Sequence, residues 1–300
     1  MDDTGPEQPS RAGALGRLDA ATQAVLDELA QDDVVARIWR HDTTVWHGDA
    51  PDPGEIANRL GWLTAPGNMR AAVEELESLA ANLREEGMRH AVLLGMGGSS
   101  LCPEVLRASF EGSSGSPELI VLDSTAPDWV QAVEAAIDPV KTVFIVSSKS
   151  GTTTEVMSFY SYFRGVVERA VGGAAGRHFI AVTDPGSHLG DVAREQGFRA
   201  IFRADPNVGG RYSAFTHFGL VPAAIMGLDL GTLLGRAERA AVASGAGVGA
   251  EANRGGRLGA QLGGNYREGR DKLTFITSPG VTSFGLWAEQ LLAESTGKDG

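Results

Sequence analysis

Apolar positions change their rhythm along this chain. Between Leu18 and Trp39 they recur at helical spacing (Leu18, Val25, Leu26, Leu29, Val34, Val35, Ile38, Trp39), broken by the polar Gln31-Asp32-Asp33, so one or two helices are expected. Asp52-Pro53-Gly54-Glu55 sets an acidic N-cap, a first-turn proline and a following Glu, the start of a helix through Leu60 and Leu63. Met69, Val73, Leu76, Leu79 and Leu83 form an amphipathic stripe that stops at Gly87, a residue suited to a left-handed C-cap.

Short continuous apolar runs then replace the stripes, at 91–94, 119–122, 142–146, 179–182 and 200–202, separated by helical patterns at 103–110, 128–137, 154–171 and 189–196. Strands that are apolar throughout are buried on both faces, and their alternation with helices predicts right-handed crossovers. The expected fold class is therefore α/β, a doubly wound five-stranded parallel sheet preceded by N-terminal helices. After Phe215 the chain is rich in Ala and Gly and mostly helical to about Tyr266. Leu273-Thr274-Phe275-Ile276 reads as a further strand and 284–294 as a helix, the start of a second α/β domain of which this chain is expected to be a fragment. The expected division is a disordered tail at 1–17, a helical segment at 18–88, the sheet domain at 89–245, and at 246–300 a helical connection into the incomplete second domain.

Composition narrows the partners. Lys and Arg number 26 against 38 Asp and Glu, a net charge of -12, which argues against a nucleic-acid backbone or an anionic membrane surface. An anionic ligand must therefore be held by local donors. The single cysteine, Cys102, excludes an intramolecular disulfide framework and a thiolate metal cluster. The acidic, polar start Met1-Asp2-Asp3-Thr4-Gly5-Pro6-Glu7 does not resemble a signal peptide, and no stretch approaches ~18 apolar residues, so a cytoplasmic protein is expected.

Candidate chemistry gathers at strand ends, where ligands bind in such sheets. Ser147-Ser148-Lys149-Ser150-Gly151-Thr152-Thr153-Thr154 lies between the third run and a helix start. Outward N–H groups, a helix dipole and short hydroxyl donors together suit a phosphate, although Ser and Thr also serve as plain N-caps. Gly95-Met96-Gly97-Gly98-Ser99-Ser100 follows the first run. A dinucleotide fingerprint would need glycine where Ser100 stands, which disfavours a nicotinamide or flavin enzyme. What remains is a tight turn with close backbone approach, or that turn with Ser99 as a donor toward the same crevice. Gly209-Gly210-Arg211 after the fifth run lets a guanidinium turn inward, the alternative being a surface arginine. Gln290 and Glu294 share one helix face; Glu294 is a solvated surface acid unless it faces the crevice, where it is a general base.

Gly95-Met96-Gly97-Gly98-Ser99, Ser148-Lys149-Ser150-Gly151-Thr152-Thr153, Gly209-Gly210-Arg211-Tyr212-Ser213 and Glu294-Ser295-Thr296-Gly297-Lys298, in this order, resemble the glucose-6-phosphate isomerase family over roughly residues 45 to 300. The nearest variant is the isomerase portion of bacterial fusions with transaldolase, though nothing N-terminal reads as a transaldolase barrel. The resemblance implies the sugar isomerase fold and interconversion of glucose 6-phosphate and fructose 6-phosphate through a cis-enediolate, with no metal or nucleotide cofactor. It implies phosphate binding by Gly98, Ser99, Ser148, Lys149 (through its backbone), Ser150, Thr152 and Thr153. Glu294 is implied as the base, Arg211 as the enediolate stabiliser, Gln290 as a sugar contact, and a homodimer as the assembly. The family also uses a ring-opening histidine and a C-terminal lysine, both expected beyond residue 300. His41, His47, His90, His178, His188 and His217 match no such motif and read as structural or surface residues. The alternative of another class is a non-catalytic sugar-phosphate-binding regulatory domain.

Overall fold

The computed structural model describes residues 17–46 and 53–296. The expected tail up to residue 16, His47, the Asp52 cap and the Gly297-Lys298 end of the last motif lie outside the described residues. The elements run α1 (Arg17–Gln31), α2 (Val34–Trp39), α3 (Pro53–Ala57), α4 (Ala65–Asn68), α5 (Val73–Glu85), β1 (His90–Gly95), α6 (Leu101–Ser109), β2 (Glu118–Leu122) and α7 (Pro127–Ala136). They continue with β3 (Thr142–Ser147), α8 (Thr154–Val171), β4 (Phe179–Thr183), α9 (His188–Glu195), β5 (Ala200–Arg203), α10 (His217–Ile225), α11 (Leu230–Ala243), α12 (Arg254–Arg267) and α13 (Phe284–Ser295). Two compact units result, one of residues 1–57 with 239–274, the other of 58–238 with 275–300.

In the first unit the polar break after α1 ends that helix, and Asp33 takes the left-handed conformation at φ 51 that short polar side chains tolerate. Val25 and Leu26 of α1 bury themselves with Ala250 and Ala260. α1 and α12 approach closely at Gly264, where a Cβ would stand 2.8 Å from the Ala21 carbonyl oxygen. Arg267 clasps Glu28 with both terminal nitrogens, at 2.7 and 2.9 Å.

The second unit holds a five-stranded, all-parallel sheet in the order β2-β1-β3-β4-β5. Period-2 alternation sends Val92, Leu94, Phe144, Val146 and Ala181 to one face, under Val156, Phe163, Val167 and Leu189 of α8 and α9. Leu93, Val143, Ile145, Ile180 and Val182 face the other way, onto Leu76 and Leu83 of α5 and Leu220 and Val221 of α10. These strand residues are fully buried, which explains why each run is apolar without interruption. α5 ends as its stripe does, with Gly87 at φ 72.

Two expectations are corrected. The helix foreseen from 53 to 63 stops at Ala57, and Gly61–Leu63 forms a 3-10 turn. Leu60 and Leu63 are buried as the pattern requires, but the Gly61 N–H donates to the Asn207 carbonyl at 3.0 Å, and Leu60 bridges antiparallel to Val208. The loop after β5 supplies the partners that a helix would have supplied. The strand foreseen at Leu273-Thr274-Phe275-Ile276 is not formed. β-Branched and aromatic residues favour a strand only when a neighbour completes the ladder; this stretch pairs with neither edge of the sheet, and Ile276 is 96% exposed.

Candidate active site

The strand order reverses between β1 and β3, so a crevice opens beyond their carboxyl ends. Gly95 and Ser147 are register partners at those ends, which sets the Gly97-Gly98 turn and the hydroxyl loop side by side. The two are tied directly, the Ser147 hydroxyl donating to the Ser99 carbonyl at 3.2 Å. A third turn, Gly210–Phe215, packs on the first at glycine-only distance. A Cβ on Gly98 would lie 2.5 Å from the Gly210 carbonyl carbon, and the Ser213 hydroxyl donates to the Gly210 and Gly98 carbonyls at 2.7 and 3.3 Å.

Inside the hydroxyl loop, buried Ser148 accepts the Gly151 N–H at 3.1 Å and shares a 3.0 Å hydrogen bond with the Thr153 hydroxyl. Thr152 donates to the Ser150 hydroxyl from its N–H at 3.2 Å and its own hydroxyl at 3.0 Å. Gly151 has φ +72, and a Cβ there would meet the Leu189 nitrogen at 2.5 Å, so only glycine closes this turn. Thr153 stands at the N-cap of α8 yet does not cap it; its hydroxyl serves Ser148 instead. The first-turn N–H groups of an 18-residue helix therefore meet no capping side chain, and the dipole adds partial positive charge at the same place. The Lys149 side chain turns aside to Asp184 at 2.5 Å and to the Pro206 carbonyl at 3.1 Å. Burial holds the Asp184 carboxyl above the ordinary carboxylate range, although the Lys149 ammonium pulls the other way. A cleft of about 680 Å³ beside the loop is lined by Thr152, Thr154, Met157, Ser158, Ser161, Tyr162 and His188; Arg211, Gln290 and Glu294 do not line it.

Arg211, Gln290 and Glu294 converge on the glycine turns. Arg211 Nη1 donates to Glu294 Oε2 at 2.6 Å, and Arg211 Nε is buried without a partner. A Cβ on Gly97, which has φ +53, would lie 3.0 Å from Gln290 Nε2; Gln290 Oε1 is likewise buried and unpaired. An unsatisfied buried donor and an unsatisfied buried acceptor in one small region suit a polar ligand, because each is costly while empty.

Ser147, Tyr212 and Ser213 stand in the motifs quoted above without an assigned role, and Trp287 stands in none. Ser147 and Ser213 lock the turns together, Trp287 donates its indole N–H to the Arg211 carbonyl at 3.1 Å, and Tyr212 donates to Ser295 Oγ at 2.8 Å. Trp287 stands three and seven residues before Gln290 and Glu294, a helical spacing that could have marked it.

Among the described residues no helix is long and apolar enough to cross a membrane. A doubly wound parallel sheet with an uncapped helix start at its switch point defines the class of the protein as doubly wound α/β. Comparison with known proteins narrows that class. The family model for phosphoglucose isomerase matches residues 67–239, more than half of the chain, and the chain belongs to that family. It is 36% identical over 193 residues to glucose-6-phosphate isomerase of Carboxydothermus hydrogenoformans, covering 61% of this chain and 41% of that protein. With the enzyme of the same name from Rubrobacter xylanophilus it shares 30% identity over 256 residues, covering 78% and 57%. The chain thus spans about half the length of these relatives. A crystal structure of a hypothetical protein from Thermus thermophilus superposes with a TM-score of 0.77 at 28% identity, covering 94% of this chain and 64% of that one. The glucose-6-phosphate isomerase structure from Chlamydia trachomatis shares the fold, with a TM-score of 0.62 at 22% identity over 92% of this chain and 55% of that one.

Proposed function

We propose that this chain binds the phosphate of glucose 6-phosphate and carries the proton-transfer groups of an aldose–ketose isomerase. The observation that carries the reading is the Arg211–Glu294 pair beside the glycine turn that is tied to the hydroxyl loop. In this reading the N–H groups and hydroxyls of Ser148, Lys149, Ser150, Thr152 and Thr153, with Gly98 and Ser99 across the crevice, receive the phosphate. The Glu294 carboxylate takes the proton from C2 and the C1 oxygen gains the negative charge, opposite the Arg211 guanidinium. The same proton then returns to C1 while the O2 proton passes to O1, which completes the ketose. Gln290, whose amide lies over Gly97, contacts the sugar. Nothing in this sequence of steps requires a redox cofactor, since no net electrons leave the substrate.

Calorimetry with 6-phosphogluconate tests the phosphate site, and an isomerase assay of the 300-residue chain tests the chemistry. Binding with turnover supports the isomerase reading. Binding without turnover favours a regulatory sugar-phosphate domain, and no heat at all defeats both. Replacing Glu294 by Gln is expected to lower kcat by about 10² to 10⁴ with phosphate affinity retained, the range of general-base catalysis. The reading also carries a homodimer in the cytoplasm as its setting.

A further inference from the structure

We propose that Tyr212 is a positioning residue for Glu294, an inference that rests on reading Glu294 as the base. Glu294 is next to last in α13, in the turn where helices fray because their final carbonyls lack intrahelical partners. Its bond to Arg211 joins two long side chains that are 35% and 48% exposed; an ion pair this open does little to restrain either one. The neighbouring pair is also open to solvent, on its Ser295 side, but its donor is held by packing. Tyr212, adjacent to Arg211, donates its phenol to Ser295, adjacent to Glu294, at 2.8 Å. Its ring is stacked on Trp62 with centroids 5.5 Å apart and planes at 23°, so the phenol leaves a stiff aromatic frame with few rotamers to lose. Two turns earlier in the same helix, Trp287 donates to the Arg211 carbonyl at 3.1 Å. The stretch of α13 bearing Gln290 and Glu294 is thereby tied to the Gly210–Phe215 turn at both its ends, and the Tyr212 bond is the tie next to the carboxylate.

Four single variants of this chain test the proposal: Tyr212→Phe, Ser295→Ala, Ser295→Thr and Glu294→Gln. Tyr212→Phe keeps the ring and its stacking and removes only the hydroxyl. It should lower kcat about 10-fold, as a small misplacement of a reacting group does, with KM and 6-phosphogluconate affinity unchanged. Ser295→Ala should match it, Ser295→Thr should restore the rate, and the Tyr212→Phe/Ser295→Ala double variant should be no worse than either single one. A readout independent of turnover is hydrogen exchange of the Trp287 indole N–H by NMR, expected to quicken about 5-fold in Tyr212→Phe if one ordinary hydrogen bond holds the helix end. Wild-type kcat in both Tyr212→Phe and Ser295→Ala, with Glu294→Gln inactive, overturns the positioning role and leaves the base in place. If Glu294→Gln keeps full rate, the functional reading falls instead. In a chain without turnover the indole exchange decides, and an unchanged rate overturns the tie.

Discussion

Arg211 and Glu294 are 83 residues apart in the chain and meet at 2.6 Å. The cation and the carboxylate that the proposed chemistry needs therefore lie in direct contact, each partly open to solvent. Replacing Arg211 by Ala is expected to cost about 3 kcal/mol of transition-state stabilisation, as loss of an oxyanion donor does. Lys should not restore the rate, because one nitrogen cannot hold the position of Nη1 and that of the buried Nε together. Steady-state kcat/KM of the two variants checks this, and an unchanged value for Arg211→Ala removes the role.

Gly151→Ala should weaken 6-phosphogluconate binding by at least 10-fold, because its Cβ collides with the Leu189 backbone and the turn must reopen. Gly186 is the control. It shares a positive φ, +74, but has open space around it, so Gly186→Ala should cost only about 1–2 kcal/mol of stability with affinity unchanged. Calorimetry beside thermal melting separates the two effects.

Gly98→Ala tests the packing of the turns. Its Cβ would press on the Gly210 backbone, which has no flexible side chain to yield. A loss of about 1–3 kcal/mol is expected from overpacking, with kcat falling further than in a variant of equal stability remote from the crevice. Gly173→Ala, where nothing lies nearby, supplies the reference.

His217 should give the folded state an acid-side weakness. Burial lowers its pKa below the ordinary 6.5, although the Arg203 carbonyl that it contacts at 2.8 Å and the Glu75 charge pull upward. The unfolded chain therefore binds the proton first, so stability is lost as pH falls from about 6.5 through the folded pKa. Urea midpoints measured from pH 8 to 5 should drop more steeply in the wild type than in His217→Gln. Parallel slopes would dismiss the effect.

Cys102, half-buried against the core, should react slowly in the folded protein. Burial pushes its thiol up to about 12, leaving almost no thiolate at pH 8. Ellman's reagent should modify it slowly in native protein and at once after guanidinium unfolding; rapid native reaction would contradict the raised pKa.

The residues whose roles could be read beforehand are those whose signal is local. Val143 to Val146 announced a strand because burial on both faces demands four apolar side chains in a row. Gly87, free of a Cβ, marked the end of α5, and the polar Gln31-Asp32-Asp33 marked the break between α1 and α2. Ser148 to Thr153 announced a strand-to-helix loop by composition, and that loop is formed. Trp287 and Tyr212 carried no such mark, since an indole or a phenol becomes a tether only when a partner from another part of the chain stands opposite.

By itself, then, the sequence determined the order of strands and helices, the both-faced burial of the sheet and the place of the hydroxyl loop at a strand end. Periodicity and turn chemistry act over a few residues, and every copy of the chain must obey them. Tertiary structure alone decided that Leu60 bridges Val208, that Leu273 to Ile276 remains without a ladder, and that Lys149 leans to Asp184. It also decided that α13 brings Glu294 to Arg211. Each of these depends on which distant backbone or charge arrives alongside, and that is settled by the closing of loops, which no local pattern encodes.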